Sequence, residues 1–385
     1  MRAGVTLFIQ GYQDWERYEA AERGEDVPEV DVEADTRRWR EEIDTALKLE
    51  EWGFDSIWTV EHHVSPYTMI TNPIQLLTYL AGATSRVDVG TMVTVLPWHH
   101  PLRVAEDMTM LQHLLNGRRA FIGVGRGAAR REFAQLGFDM NESKERFAES
   151  AEIIKLALTN ETFSYEGVHY QFDRVTLRPR PRDGQQLVDD LHFSWGSPSS
   201  APVGAKLGLK PLIIPQKPWA DYHADLAEFN KARREAGHDL ARPRVNMNVY
   251  CASSEEEARA GAEKYMPEYA DSATRNYETY SDHFKSVKGY EHYANVASAV
   301  GHSREAMSKA MGDTYIANHV YGTPEQCIAK LQTIAQDFHP EEFLFTMRYG
   351  NMSQAEAEAS TDLFAREVLP AIHEIEVQEP ISYAA

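Results

Sequence analysis

Eight short apolar runs, each followed by a stretch with helical spacing, constrain this chain more than any other feature. They are Val5–Ile9, Ser56–Val60, Val87–Val95, Ala120–Val124, Leu191–Trp195, Pro211–Ile214, Val245–Cys251 and Phe343–Met347. Their apolar residues are consecutive rather than alternating, as expected of strands covered on both faces. The stretches between them read as helices. Trp39, Ile43 and Leu47 recur at i, i+4, i+8 within 35–52, Asn72-Pro73 reads as an N-cap with proline at the first helical position, and Phe147, Ala151, Ile154 and Leu158 share a face. Repeated strand-then-helix units imply a parallel sheet, and eight of them imply closure into a (β/α)₈ barrel.

The expected architecture is a single domain over 1–385 with three insertions. Residues 11–34 form an acidic loop. Phe163–Tyr170 alternates around Gly167 and reads as a β-hairpin after the fourth helix. Residues 270–318, after the seventh strand, read as a long loop without a clear core face, placed to serve as a mobile lid.

Polar chemistry gathers where the apolar runs stop: Glu61-His62-His63 after the second, Trp98-His99-His100 after the third, Gly125-Arg126-Gly127 after the fourth. In a closed barrel these ends share one rim, where active sites are built. Adjacent strand residues point to opposite faces, so His62 and His63 do not form the paired metal grip of some barrel hydrolases, and no metal is expected. One inward imidazole suits proton exchange near neutrality.

Gly123-Val124-Gly125-Arg126-Gly127-Ala128 loosely matches a dinucleotide pattern, but it lies in the fourth unit and lacks the acidic residue that should close a following strand. Arg126 between glycines is better read as a bidentate donor to phosphate. Ser197, Ser199 and Ser200 cluster at the start of the helix after Trp195, a second phosphate signal on the same rim. A net charge of −20 argues against nucleic acid. With no 18-residue apolar run and no signal-peptide pattern, a cytoplasmic protein without membrane association is expected. Cys251 and Cys327 lie in apolar stretches and read as buried thiols.

In this order, Trp58-Thr59-Val60-Glu61-His62-His63, Asn72-Pro73, Val89-Gly90-Thr91, Leu96-Pro97, His100-Pro101, Gly117-Arg118, Arg126-Gly127, Gly322-Thr323-Pro324-Glu325-Gln326 and Val368-Leu369-Pro370 resemble the bacterial luciferase-like flavin-dependent monooxygenases. Lys288-Gly289-Tyr290 resembles a stretch of that family's mobile loop.

The resemblance implies a barrel that binds reduced FMN non-covalently, as a homodimer partnered by a separate NAD(P)H-dependent flavin reductase. Dioxygen would be activated as a flavin 4a-hydroperoxide to oxygenate a small organic substrate such as an aldehyde or ketone. His62 matches the catalytic histidine. Arg126 with Gly127 and Ala128, and Gly196, Ser197 and Ser200, match the phosphate site. Met92-Val93 falls where the family carries a non-prolyl cis peptide under the flavin ring. His63, Trp98, His100 and Trp195 are expected around the substrate. Gly125 and Gly196 replace a cysteine and a glutamate of the luciferases, so light emission does not follow. A deazaflavin-dependent oxidoreductase and a non-catalytic flavin-binding relative share the same resemblance.

Overall fold

The computed structural model describes residues 1–195 and 200–381. Eight parallel strands close on themselves: β1 (Arg2–Leu7), β2 (Ser56–Thr59), β3 (Asp88–Val95), β4 (Ala120–Gly125), β5 (Leu191–Ser194), β6 (Lys210–Ile213), β7 (Arg244–Cys251) and β8 (Glu342–Thr346). Val5 faces Ile57 on one side and Phe345 on the other, and Ile213 against Val245 completes the ring. A ninth strand, Val320–Gly322, extends the sheet beside β7. The (β/α)₈ barrel expected from the eight repeats is the fold.

Even-numbered strands fill the barrel axis. Trp58 of β2 stacks on Phe121 of β4 with ring centroids 5.8 Å apart, and Leu212 and Leu344 from β6 and β8 join them. Such a layer drawn from alternate strands is how closed barrels fill their interior. Gly90 is required by it, because a Cβ there would lie 2.5 Å from the Trp58 ring. At the opposite end from the active-site rim, Arg244 pairs with buried Glu342 at 2.7 Å. β3 carries a register irregularity between Thr91 and Thr94, and the Met92–Val93 peptide inside it is cis.

The hairpin is present as Phe163–Glu166 paired antiparallel with Gln171–Val175. Its turn is tied to the preceding helix by Glu149, which accepts hydrogen bonds from the backbone N–H groups of Val168, His169 and Tyr170.

Two expectations are corrected. The 11–34 segment contains the helix Trp15–Glu22, with Trp15 buried and donating its indole N–H to Ser272 Oγ at 2.6 Å. Its acids are not merely solvated: Arg275 reaches Glu16 at 2.7 Å and Glu19 at 3.0 Å. The 270–318 segment is mostly helical rather than a loop. It takes in the end of Glu255–Tyr277, then Glu291–Ala299 and Arg304–Asn318. The core face of the last helix runs through Met307, Met311 and Tyr315, with Tyr315 packed on Tyr269 at 5.2 Å and stacked on His319 at 4.3 Å. Small Ala, Gly and Ser residues between these anchors obscured an i, i+4, i+8 pattern.

Cys251 and Cys327 are buried and free. Among the described residues no helix is long and apolar enough to cross a membrane.

Candidate active site

The four histidines at the ends of β2 and β3 divide between different tasks. Glu61, fully buried, accepts hydrogen bonds from His63 Nε2 at 3.1 Å and His99 Nε2 at 2.6 Å on one oxygen, and from Val95 N–H at 2.7 Å on the other. Burial by itself would raise the Glu61 pKa, but these donors outweigh it and hold the carboxylate below its ordinary value. His99 responds in kind: burial opposes its charge, and the bond to Glu61 raises its pKa above the ordinary 6.5. The arrangement clamps the end of β2 to the end of β3.

His62 turns the other way, into a cleft at the C-terminal ends of the strands. Its Nδ1 lies 2.8 Å from Glu132 Oε1, and Tyr277 Oη lies 3.1 Å from its Nε2. A carboxylate only accepts, so Nδ1 carries the proton and Nε2 accepts from the tyrosine hydroxyl. Burial and then the nearby Glu132 raise the Tyr277 pKa well above 10.0, which keeps the hydroxyl protonated. Glu132 also receives the backbone N–H of His63 at 2.9 Å. The result is a fixed order of Glu132, His62 and Tyr277, with all three lining the cleft.

Across the cleft, Arg126 is buried at the end of β4. One nitrogen donates to Ser200 Oγ at 2.9 Å and another to Ser143 Oγ at 3.3 Å, while the guanidinium lies over the Tyr290 ring, 4.6 Å from its centroid. Among the described residues no carboxylate pairs with it, and its Nε has no hydrogen-bond partner. A buried cation with no carboxylate in direct contact is costly, and an arginine fork held by hydroxyls is the chemistry of an anion site. Tyr290 also donates to the carbonyl of Gly127 at 2.6 Å.

Between these two poles the wall is formed by Met92, Val93, Trp98, Trp195 and Ile214. Gly125 leaves room there, since a Cβ would fall 2.6 Å from Val93 Cγ2. Trp195 is held by stacking on Phe229 at 4.8 Å. The cleft encloses about 1090 Å³, counting its open mouth.

Of the expected residues, His62, Met92, Val93, Trp98, Arg126, Gly127, Ala128, Trp195 and Ser200 come together on this cleft. Gly196 and Ser197 lie outside the described residues. His63 and His100 do not line it. His63 serves Glu61, with its ring against Trp98 at 5.3 Å, and His100 packs on Tyr170 and Phe172 of the hairpin at 5.7 and 5.9 Å. His63 is taken up by Glu61 two residues before it and by Trp98, and His100 by the hairpin. Glu132, Ser143 and Tyr277 were not singled out from the sequence, and no local pattern marks them; Tyr290 was marked only through the Lys288-Gly289-Tyr290 resemblance. Among the described residues no group of three or more His, Cys, Asp or Glu is arranged to hold a metal ion.

Comparison with known proteins agrees with this geometry. The family model described as luciferase-like monooxygenase matches residues 18–339. The alkanal monooxygenase alpha chain of Photorhabdus luminescens is 29% identical over 298 residues, covering 74% of this chain and 78% of that one. The oxygenase component of the flavin-dependent trigonelline monooxygenase of Acinetobacter baylyi is 27% identical over 360 residues, covering 90% and 93%.

Three solved structures share the fold. The monooxygenase RslO1 from Streptomyces bottropensis has a TM-score of 0.70 at 23% identity, covering 97% of this chain and 100% of that one. The oxygenating constituent of 3,6-diketocamphane monooxygenase from Pseudomonas putida, in complex with FMN, gives 0.65 at 19%, covering 98% and 99%. An F420-dependent secondary alcohol dehydrogenase gives 0.64 at 16%, covering 96% and 98%. With a family match that spans most of its length, this chain is an enzyme of the luciferase-like monooxygenase family.

Proposed function

We propose that the chain is an FMN-dependent monooxygenase acting on a small organic substrate. The observation that carries this is Arg126, a buried guanidinium held by Ser200 and Ser143 with no carboxylate partner among the described residues. The donor set fits a phosphate group, and the apolar wall between Arg126 and His62 fits a flat ring system. Bound reduced FMN supplies dioxygen activation for transfer of one oxygen atom to the substrate. Arg126, Ser200 and Ser143 would hold its phosphate, and Met92, Val93 and Gly125 would offer an apolar surface to its ring.

The chain's own contribution to the chemistry lies at the other pole. Glu132 fixes the His62 tautomer, and His62 Nε2 in turn holds the Tyr277 hydroxyl as a positioned, protonated group at the reacting end of the cleft. Trp98, Trp195 and Tyr290, buried side chains that line the cleft, help to exclude water from it. The relative named as an oxygenase component supports a separate NAD(P)H-dependent reductase as the source of reduced FMN.

Replacing Arg126 with Ala tests the reading. The loss of a charge-assisted contact weakens FMN about tenfold or more in titration, while riboflavin, which lacks the phosphate, binds nearly as before. Equal weakening of both ligands would move the phosphate elsewhere. The F420-dependent relative of the same fold favours a second reading, with a deazaflavin in the cleft. Tighter binding of F420 than of FMN by the unmodified protein would establish it in place of the first.

A further inference from the structure

Glu132 carries a feature that fixing His62 does not explain. Its side chain is fully buried, and its Oε1 accepts from both His62 Nδ1 and His63 N–H. The second oxygen, Oε2, is buried and has no hydrogen-bond partner among the described residues, although the residue forms part of the cleft wall. Leaving a buried carboxylate oxygen unmatched is unfavourable, so its natural partner is a donor that arrives with a ligand.

We infer that Glu132 is a substrate-recognition residue whose Oε2 accepts a hydrogen bond from the substrate, and that the substrate is a ring compound bearing a hydroxyl group. This rests on the proposed function, in which the same cleft brings substrate and FMN together. An aldehyde or ketone oxygen only accepts, so it meets Oε2 lone pair to lone pair. A hydroxyl supplies the hydrogen that Oε2 can accept. The ring follows from the aromatic groups nearest Glu132: Tyr277 lies against His62 with ring centroids 5.6 Å apart and Trp98 also lines the cleft, and aromatic faces select flat, polarisable partners. Trp98 Nε1 and Thr279 Oγ1 are also buried there with no hydrogen-bond partner among the described residues, which suits a ligand with more than one polar point.

The test compares 4-ethylphenol with its methyl ether, 4-ethylanisole, by calorimetric titration of the FMN-loaded full-length chain. The phenol is expected to bind about tenfold or more tightly than the ether. In Glu132→Gln the amide oxygen stays with the His62 and His63 donors, which places the NH₂ where Oε2 stood. That group donates, so the preference should invert towards the ether. Equal affinities in the unmodified protein, or no binding of either probe, overturn the inference without any variant. So does an unchanged preference in a folded Glu132→Gln protein.

FMN affinity, read by flavin fluorescence, should stay within about twofold in the variant. A loss as large as that of the phenol would assign Oε2 to the flavin and overturn the inference. If the unmodified protein fails to bind FMN, the cofactor reading falls by itself. The same phenol and ether titrations on the flavin-free chain then decide the role of Glu132 separately.

Discussion

His62 owes its place to neighbours on two other elements, 70 and 215 residues away in sequence. Glu132 holds its Nδ1–H, so the ring meets the cleft through Nε2 and the Tyr277 hydroxyl behind it. His63 is the next residue, yet it is spent on Glu61. Tyr277→Phe removes the proton donor to Nε2 while keeping the ring that packs on Tyr67 at 5.6 Å. The variant is expected to fold and to bind FMN within about twofold of the original. Product formed per reduced flavin should fall by about 10²-fold, the low end of what a positioned acid–base group contributes. Full product yield from the folded variant would remove the hydroxyl from the chemistry.

At the scale of elements, the segment over the cleft divides into parts of different stability. The helix Arg304–Asn318 is anchored by Met307 and Tyr315 on Glu255–Tyr277, and Arg304 and Arg275 both pair with Glu19 of the Trp15–Glu22 helix. Residues 278–303 have fewer anchors, chiefly Phe284, Tyr290, Ala294 and Ala297, around one short helix. Few buried contacts mean a low cost of local opening. The mobile-lid proposal therefore narrows to 278–303, with Tyr290 on Arg126 as its contact with the phosphate pole. Limited proteolysis should cut first inside 278–303 and more slowly once FMN is present. First cleavage within 304–318, or a rate indifferent to FMN, would return the segment to an ordinary surface element.

For the whole molecule, the helices Pro73–Ala83 and Pro101–Leu114 pack side by side and leave Tyr79, Met110 and Leu114 each more than half exposed. Large apolar groups gathered on neighbouring helices mark an association surface. We propose that two copies of the chain meet there. Light scattering after size exclusion should give a dimer for the unmodified protein and a monomer for Met110→Glu with unchanged helical content. A monomeric unmodified protein would remove the homodimer from the reading.

The order of the eight strands, the hairpin around Gly167 and the rim position of Arg126 were legible in the sequence, because each depends on local periodicity or on the residue that ends a strand. The cis peptide at Met92–Val93 was reachable through family resemblance. Barrel closure turns those strand ends into one rim, which is why the sequence alone places Arg126 and His62 together. The partners were not legible. Glu61 gathers His63 and His99 because β2 and β3 end side by side, and Glu132 reaches His62 from a helix that no motif announces. The helices between 278 and 318 were hidden because their core anchors are spaced among small residues and find their partners on a distant helix. Periodicity along the chain fixes which face of an element is apolar; which polar atoms meet across the rim is decided by packing between elements far apart in sequence.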